Sequence, residues 1–108
     1  SSFSFVRNET MASREEKRQA LRQRRRLHQN AVGFSAIPRR NGAETNAEYD
    51  LGDGNGPRRF NLGMWIHTEI VAYMNGRRTN EQMEELMDDM GLSEETRTVF
   101  KRRCRWTE

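Results

Sequence analysis

The stretch NLGMWIHTEIVAYMNG, Asn61 to Gly76, decides the fold. Leu62, Trp65, Ile66, Ile70, Tyr73 and Met74 recur at the three- and four-residue spacing that lines one face of an α-helix, and Gly76 stands where a left-handed residue ends one. Towards the C-terminus, Thr79 followed by Gln82 is a capping-box start. Met83, Leu86, Met87 and Met90 then share a face up to Gly91. Ser93 caps a third helix that carries Val99 and Phe100 towards Trp106. These signals predict a small three-helix bundle over residues 61–108. A unit of this size buries too little apolar surface to be stable unaided, so it is expected to lean on something else.

Towards the N-terminus, residues 33–60 are rich in Gly, Asn, Pro and Ala and hold no sustained period. They predict an extended irregular linker, pinned along another surface by Phe34, Ile37, Tyr49, Leu51 and Phe60. Residues 1–32 form a basic tail and helix. Nothing breaks a helix from Thr10 to about Ala31, where Ala, Leu, Arg, Gln and Glu prevail, with Thr10 as the expected cap. Arg14, Arg18, Arg22 and Arg25 fall on one face of this helix, and Ala20, Leu27 and Ala31 make a thin apolar stripe roughly opposite. The predicted fold is therefore mainly α: a long basic N-terminal helix, a linker and a three-helix C-terminal bundle.

Composition agrees with a chain that does not bury itself fully. Leu, Ile, Val and Phe make up 18 of 108 residues, below the roughly 20% at which a core forms readily. Net charge is only +3, but it is unevenly spread. Residues 1–43 hold nine Arg and one Lys against three Glu, whereas residues 61–96 hold two Arg against eight acids. Of 19 cations 17 are Arg, several in pairs or runs, and Arg offers a planar fork of donors suited to phosphate and carboxylate. Cys104 is the sole cysteine, which rules out an internal disulfide. No apolar run approaches the ~18 residues of a membrane span.

The residues that point to a function are the arginines. KRQALRQRRRLHQN, Lys17 to Asn30, contains six cations and no acid, and Arg22, Arg24, Arg25 and Arg26 have no acid three or four residues away. Local pairing cannot neutralise them. A polyanion can, and RNA suits best, since Arg-rich helices and irregular basic segments order on folded RNA. The expected nucleic-acid contacts are Arg14, Arg18, Arg22, Arg24, Arg25 and Arg26 on the helix, with Arg39, Arg40, Arg58 and Arg59 on the linker. Carboxylates of an acidic protein, or the acids of residues 81–95 in the fold, are the competing partners. Trp65 and Trp106 are the expected protein-partner anchors, with bundle core as the competing role for both.

Other chemistry finds little support. Asp50 to Gly56 resembles a calcium loop but offers no register with ligands at positions 1, 3, 5 and 12. His28, His67 and Cys104 have no metal-ligand spacing, and no nucleophile, base and acid come together in sequence. Residues 87–93 resemble the middle of a helix-turn-helix, yet Arg97 falls where an inward apolar residue belongs and Glu94-Glu95 would repel phosphate.

The expectation is thus a non-catalytic structural subunit of a large assembly, of ribosomal ribonucleoprotein type, with RNA and other protein subunits as partners. It needs no metal, cofactor or small-molecule substrate. An accessory subunit of a protein-only organellar assembly, such as a respiratory-chain complex, is the first alternative and a DNA-binding helix-turn-helix protein the second. An intracellular address in a mitochondrion or another organelle is expected from the missing initial Met and the Ser/Phe/Arg character of SSFSFVRNET.

Overall fold

The computed structural model describes residues 12–40 and 43–107. The chain is mainly α-helical, with helices α1 (Arg14–His28), α2 (Leu62–Met74), α3 (Asn80–Met90) and α4 (Glu94–Cys104). A 3-10 turn, Ala43–Asn46, and a two-stranded antiparallel sheet, β1 (Glu48–Tyr49) with β2 (Arg58–Arg59), lie between α1 and α2.

Each helix starts at a side chain that satisfies a free backbone N–H. In α1 the cap is Ser13. Its hydroxyl accepts from the Glu16 N–H while the Glu16 carboxylate accepts from the Ser13 N–H. The predicted cap, Thr10, lies outside the described residues, and the helix ends at His28, short of Ala31. Asn61, Thr79 and Ser93 cap α2, α3 and α4 as their sequence positions indicate. At the end of α3, Gly91 takes the left-handed conformation, φ +68°, that the tight turn into α4 requires.

α1 and α3 run parallel, because Arg14, Arg18 and Arg22 reach Gln82, Glu85 and Asp89 in that order. α2 runs against both: Arg14 meets Glu69, and Lys17 lies over the ring of Trp65 nearer the start of α2. α4 lies beside α2, joined at its C-terminal end by Tyr73 stacked on Trp106 with ring centres 5.1 Å apart.

One apolar cluster extends from Ala20 to Cys104 and includes Ile37, Tyr49 and Phe60. The irregular segment 33–60 is therefore seated on this chain's own helices, where an outside surface had been expected to hold it. Arg24 explains part of the seating. Its buried guanidinium donates to the carbonyls of Ser35 and Ala36 and lies 4.5 Å over the Phe34 ring, so one side chain fixes the turn after α1. Gln23 donates to the Asp50 carbonyl and ties α1 to the end of β1.

The buried stripe of α1 also differs from the predicted one. Ala20, Leu21 and Arg24 are buried, whereas Leu27 is 63% exposed and Ala31 lies on the surface. At 100° per residue Leu21 falls beside Arg14 and Arg25. The arginine face thus adjoins the apolar stripe, and both turn towards the body of the protein.

Candidate nucleic-acid interface

The ten arginines singled out in the sequence divide by what their guanidiniums meet. Arg14 lies at the N-terminal end of α1, where its Nε is 2.9 Å from Glu69 and its Nη2 donates to the Gln82 carbonyl. Glu69 is 3% exposed and also receives Arg78, whose Nε and Nη2 approach both its oxygens at 3.0–3.2 Å. The hydrogen bond that Arg78 donates to Glu69 holds its guanidinium above the usual pKa.

One and two turns on, Arg18 and Arg22 converge on Asp89. Arg18 Nε is 2.6 Å from one carboxylate oxygen and Arg22 Nη1 is 2.8 Å from the other. Glu85 lies 3.1 Å from Arg18, and Glu15 adds contacts to both arginines at 3.5 and 3.3 Å. The Asp89 hydrogen bond raises the Arg18 pKa. Arg25 donates to the Asp88 carbonyl and its side chain lies against Gly91. Arg24 is buried as described above. Arg58 joins β2 to its surroundings through Glu16, at 2.9 Å, and Asp53. These six guanidiniums on α1 and β2 are engaged within the chain: in the acid-free run Lys17 to Asn30, Arg18 and Arg22 pair with Glu15 and with acids of α3, while Arg24 and Arg25 donate to backbone carbonyls.

Four of the ten remain on the surface. Arg26, Arg39, Arg40 and Arg59 are exposed and make no ion pair among the described residues. Arg39 makes a long hydrogen bond to the Gly33 carbonyl at 3.4 Å. Glu48 is the cross-strand neighbour of Arg59 but does not pair with it. Three of the four adjoin the start of α2. Gly63, in the first turn of α2, permits the approach of residues 39 and 40: a Cβ there would lie 2.5 Å from the Arg39 carbonyl oxygen and 2.7 Å from the Arg40 nitrogen. Arg59, three residues before α2, lines an open depression with Lys17 and Trp65, and Arg26 stands in the last turn of α1. The partial positive charge of the α2 N-terminus adds to theirs.

A second set was absent from the sequence-based selection. Arg77, Arg102, Arg103 and Arg105 are exposed at the C-terminal ends of α2 and α4 and pair with no acid among the described residues. The signal that could have found them is the recurrence of paired arginines immediately after or within the last turn of a predicted helix.

Both tryptophans are engaged in the chain's own packing. Trp65 is 9% exposed in the core cluster. Trp106 is half-buried, stacked on Tyr73, with Lys101 Nζ 5.0 Å over its ring. The acidic loop is occupied as well: Asp50 accepts from the Gly52 N–H, and Asp53 accepts from the Asn55 N–H and pairs with Arg58. The Asn55 hydrogen bond, before the Arg58 contact, holds the Asp53 carboxyl below its usual pKa. Burial pushes the Cys104 thiol up to about 11 against the opposing charge of Arg103. Among the described residues no group of three or more His, Cys, Asp or Glu is placed to hold a metal ion, and no helix is long and apolar enough to cross a membrane. Comparison with protein-family models, with curated proteins and with solved structures finds no match to this chain.

Proposed function

We propose that this chain is a non-catalytic structural subunit of a ribonucleoprotein assembly and that it holds RNA phosphates through Arg26, Arg39, Arg40 and Arg59. The observation behind the proposal is the division of the ten arginines: six find carboxylates or carbonyls within the chain, whereas these four are exposed and make no ion pair among the described residues, three of them beside the start of α2. Exposed guanidiniums are weakly hydrated and keep their donor fork free for phosphate oxygens. Neutralising several phosphates releases counterions and supplies affinity that is independent of sequence. The inward arginines Arg14, Arg18, Arg22, Arg24, Arg25 and Arg58 then hold the shape that presents the outward ones.

The test is binding of the full chain to a structured RNA hairpin across a salt series. Affinity falls steeply as salt rises, and replacing Arg26, Arg39, Arg40 and Arg59 by Ala flattens the log–log slope by about 3. A flat dependence for the unaltered chain, or an unchanged slope for the variant, overturns the proposal.

A protein-only assembly is the second reading. It is favoured by Met64, Val71 and Met74, which are partly exposed along the outer side of α2. Copurification separates the two readings: nuclease treatment releases the chain from a ribonucleoprotein and leaves it bound to a protein complex.

A further inference from the structure

The arginines at the far end of the bundle have no role in the contact just described. α2 and α4 finish side by side, since the Tyr73 hydroxyl lies 3.5 Å from the Thr107 carbonyl and Tyr73 stacks on Trp106. Arg105 lines the same open depression as Gly76, the residue before Arg77. Arg102 and Arg103 occupy the last turn of α4, pointing outward while Phe100 and Cys104 face the core. Among the described residues the acids nearby are few. Glu84 is taken by Lys101 at 3.5 Å, Glu69 lies buried between Arg14 and Arg78, and Glu81 is left on the first turn of α3. Trp106 is engaged by Tyr73 and Lys101, so this surface offers guanidiniums to phosphate and no free ring to a base.

The two arginine surfaces are not parts of one track. They lie at opposite ends of α2, whose 13 residues span about 20 Å. The exposed residues of α2 between them, including Met64, His67, Thr68, Val71 and Met74, contain no Lys, Arg, Asp or Glu. A single strand followed by continuous cations would need a basic strip here.

We propose that Arg77, Arg102, Arg103 and Arg105 form a second phosphate-binding surface and that the chain bridges two RNA segments. This inference rests on the RNA reading of the first surface, and its failure is distinguishable from the failure of that reading. The full chain is titrated into a mixture of donor-labelled and acceptor-labelled copies of one RNA hairpin, with energy transfer reporting bridging and anisotropy reporting binding of either copy. Bridging rises to a maximum near one chain per two hairpins and falls in excess protein, as a bivalent linker must. The variant R77A/R102A/R103A/R105A, with its circular dichroism unchanged, retains binding of a single hairpin within about threefold and loses bridging at least tenfold.

Binding without bridging by the unaltered chain overturns this inference and leaves the first surface standing. Absence of any binding overturns both. Bridging that persists in the variant, or that tracks formation of a protein dimer by light scattering, also overturns the second surface. A variant that loses its helicity is replaced by R102Q/R103Q, for which a bridging loss of at least threefold with single-hairpin binding kept is the supporting result and unchanged bridging the opposing one.

Discussion

Arg22 and Arg39 both belong to arginine clusters and have no acid three or four residues away in sequence, yet they meet different surroundings. Arg22 sits on a helix that lies along α3, and it reaches Asp89, 67 residues away, and Glu15, seven residues back. Arg39 sits on a segment that passes over the start of α2, on the outer side of the protein, and makes no ion pair among the described residues. A count of acids three and four residues away treats both alike. What separates them is the parallel approach of α1 and α3, which interleaves a basic face with an acidic one. The same side chain type thus serves as internal clamp in one region and as exposed cation in the other.

Three substitutions in the packed body, one titration and a set of single arginine replacements break or sharpen that contrast. Leu21→Ala has the largest effect, a loss of about 3 kcal/mol by chemical denaturation, because Leu21 is fully buried within the clamped face. A cost below about 1 kcal/mol would mean that α1 is held by charge alone. Asp89→Asn, which keeps the shape and removes the charge facing Arg18 and Arg22, costs about 2 kcal/mol. Its destabilisation shrinks in high salt much less than an exposed pair's would, since Asp89 is almost fully buried.

Gly63→Ala forces a Cβ into the Arg39 carbonyl and costs about 1–2 kcal/mol through overpacking. It also displaces Arg39 and Arg40, so RNA affinity falls together with stability. Cys104 supplies a pH test. Burial raises the thiol pKa in the folded state, so its contribution is complete below the unfolded value near 9 and is lost as pH rises towards about 11. Between pH 8 and 10.5 the unaltered chain therefore loses more stability than Cys104→Ala does. The smallest effect is expected at Arg26, Arg39, Arg40 and Arg59, where single Ala substitutions change stability by no more than about 0.5 kcal/mol while weakening RNA binding. A larger stability loss at any of them would place that arginine among the clamps.

Much of the helical architecture is legible in the residues themselves. The capping box of Thr79 and Gln82, the stops at Gly76 and Gly91 and the cap at Ser93 act within a few residues of chain, and the structure places each where its sequence neighbours indicate. At the start of α1 the cap is Ser13, in a capping box with Glu16 that is legible in the same way, whereas Thr10, the cap expected from the sequence, lies outside the described residues. The stripe of α1 was harder to see. Leu21 stands between arginines on a helical wheel, and only a helix whose charges are matched by α3 can turn that face inward.

The irregular segment shows a related limit. Ile37, Tyr49 and Phe60 were identifiable as anchors by their apolar character among polar neighbours, and all three are buried. What they anchor to was not identifiable, because a segment without a period contains no local statement of its partner. Arg24 supplies much of the answer by holding the Ser35 and Ala36 carbonyls.

The sequence by itself determined the mainly helical class, the three C-terminal helices with their caps and the uneven distribution of charge, since these depend on propensities and hydrogen bonds that span only a few residues. The tertiary structure decided which arginines are spent on Glu69, Asp89 and backbone carbonyls and which face outward. Ion pairing depends on distances of a few ångströms between groups far apart in the chain, and only the packing of α1 on α3 and of residues 33–40 on α2 fixes those distances.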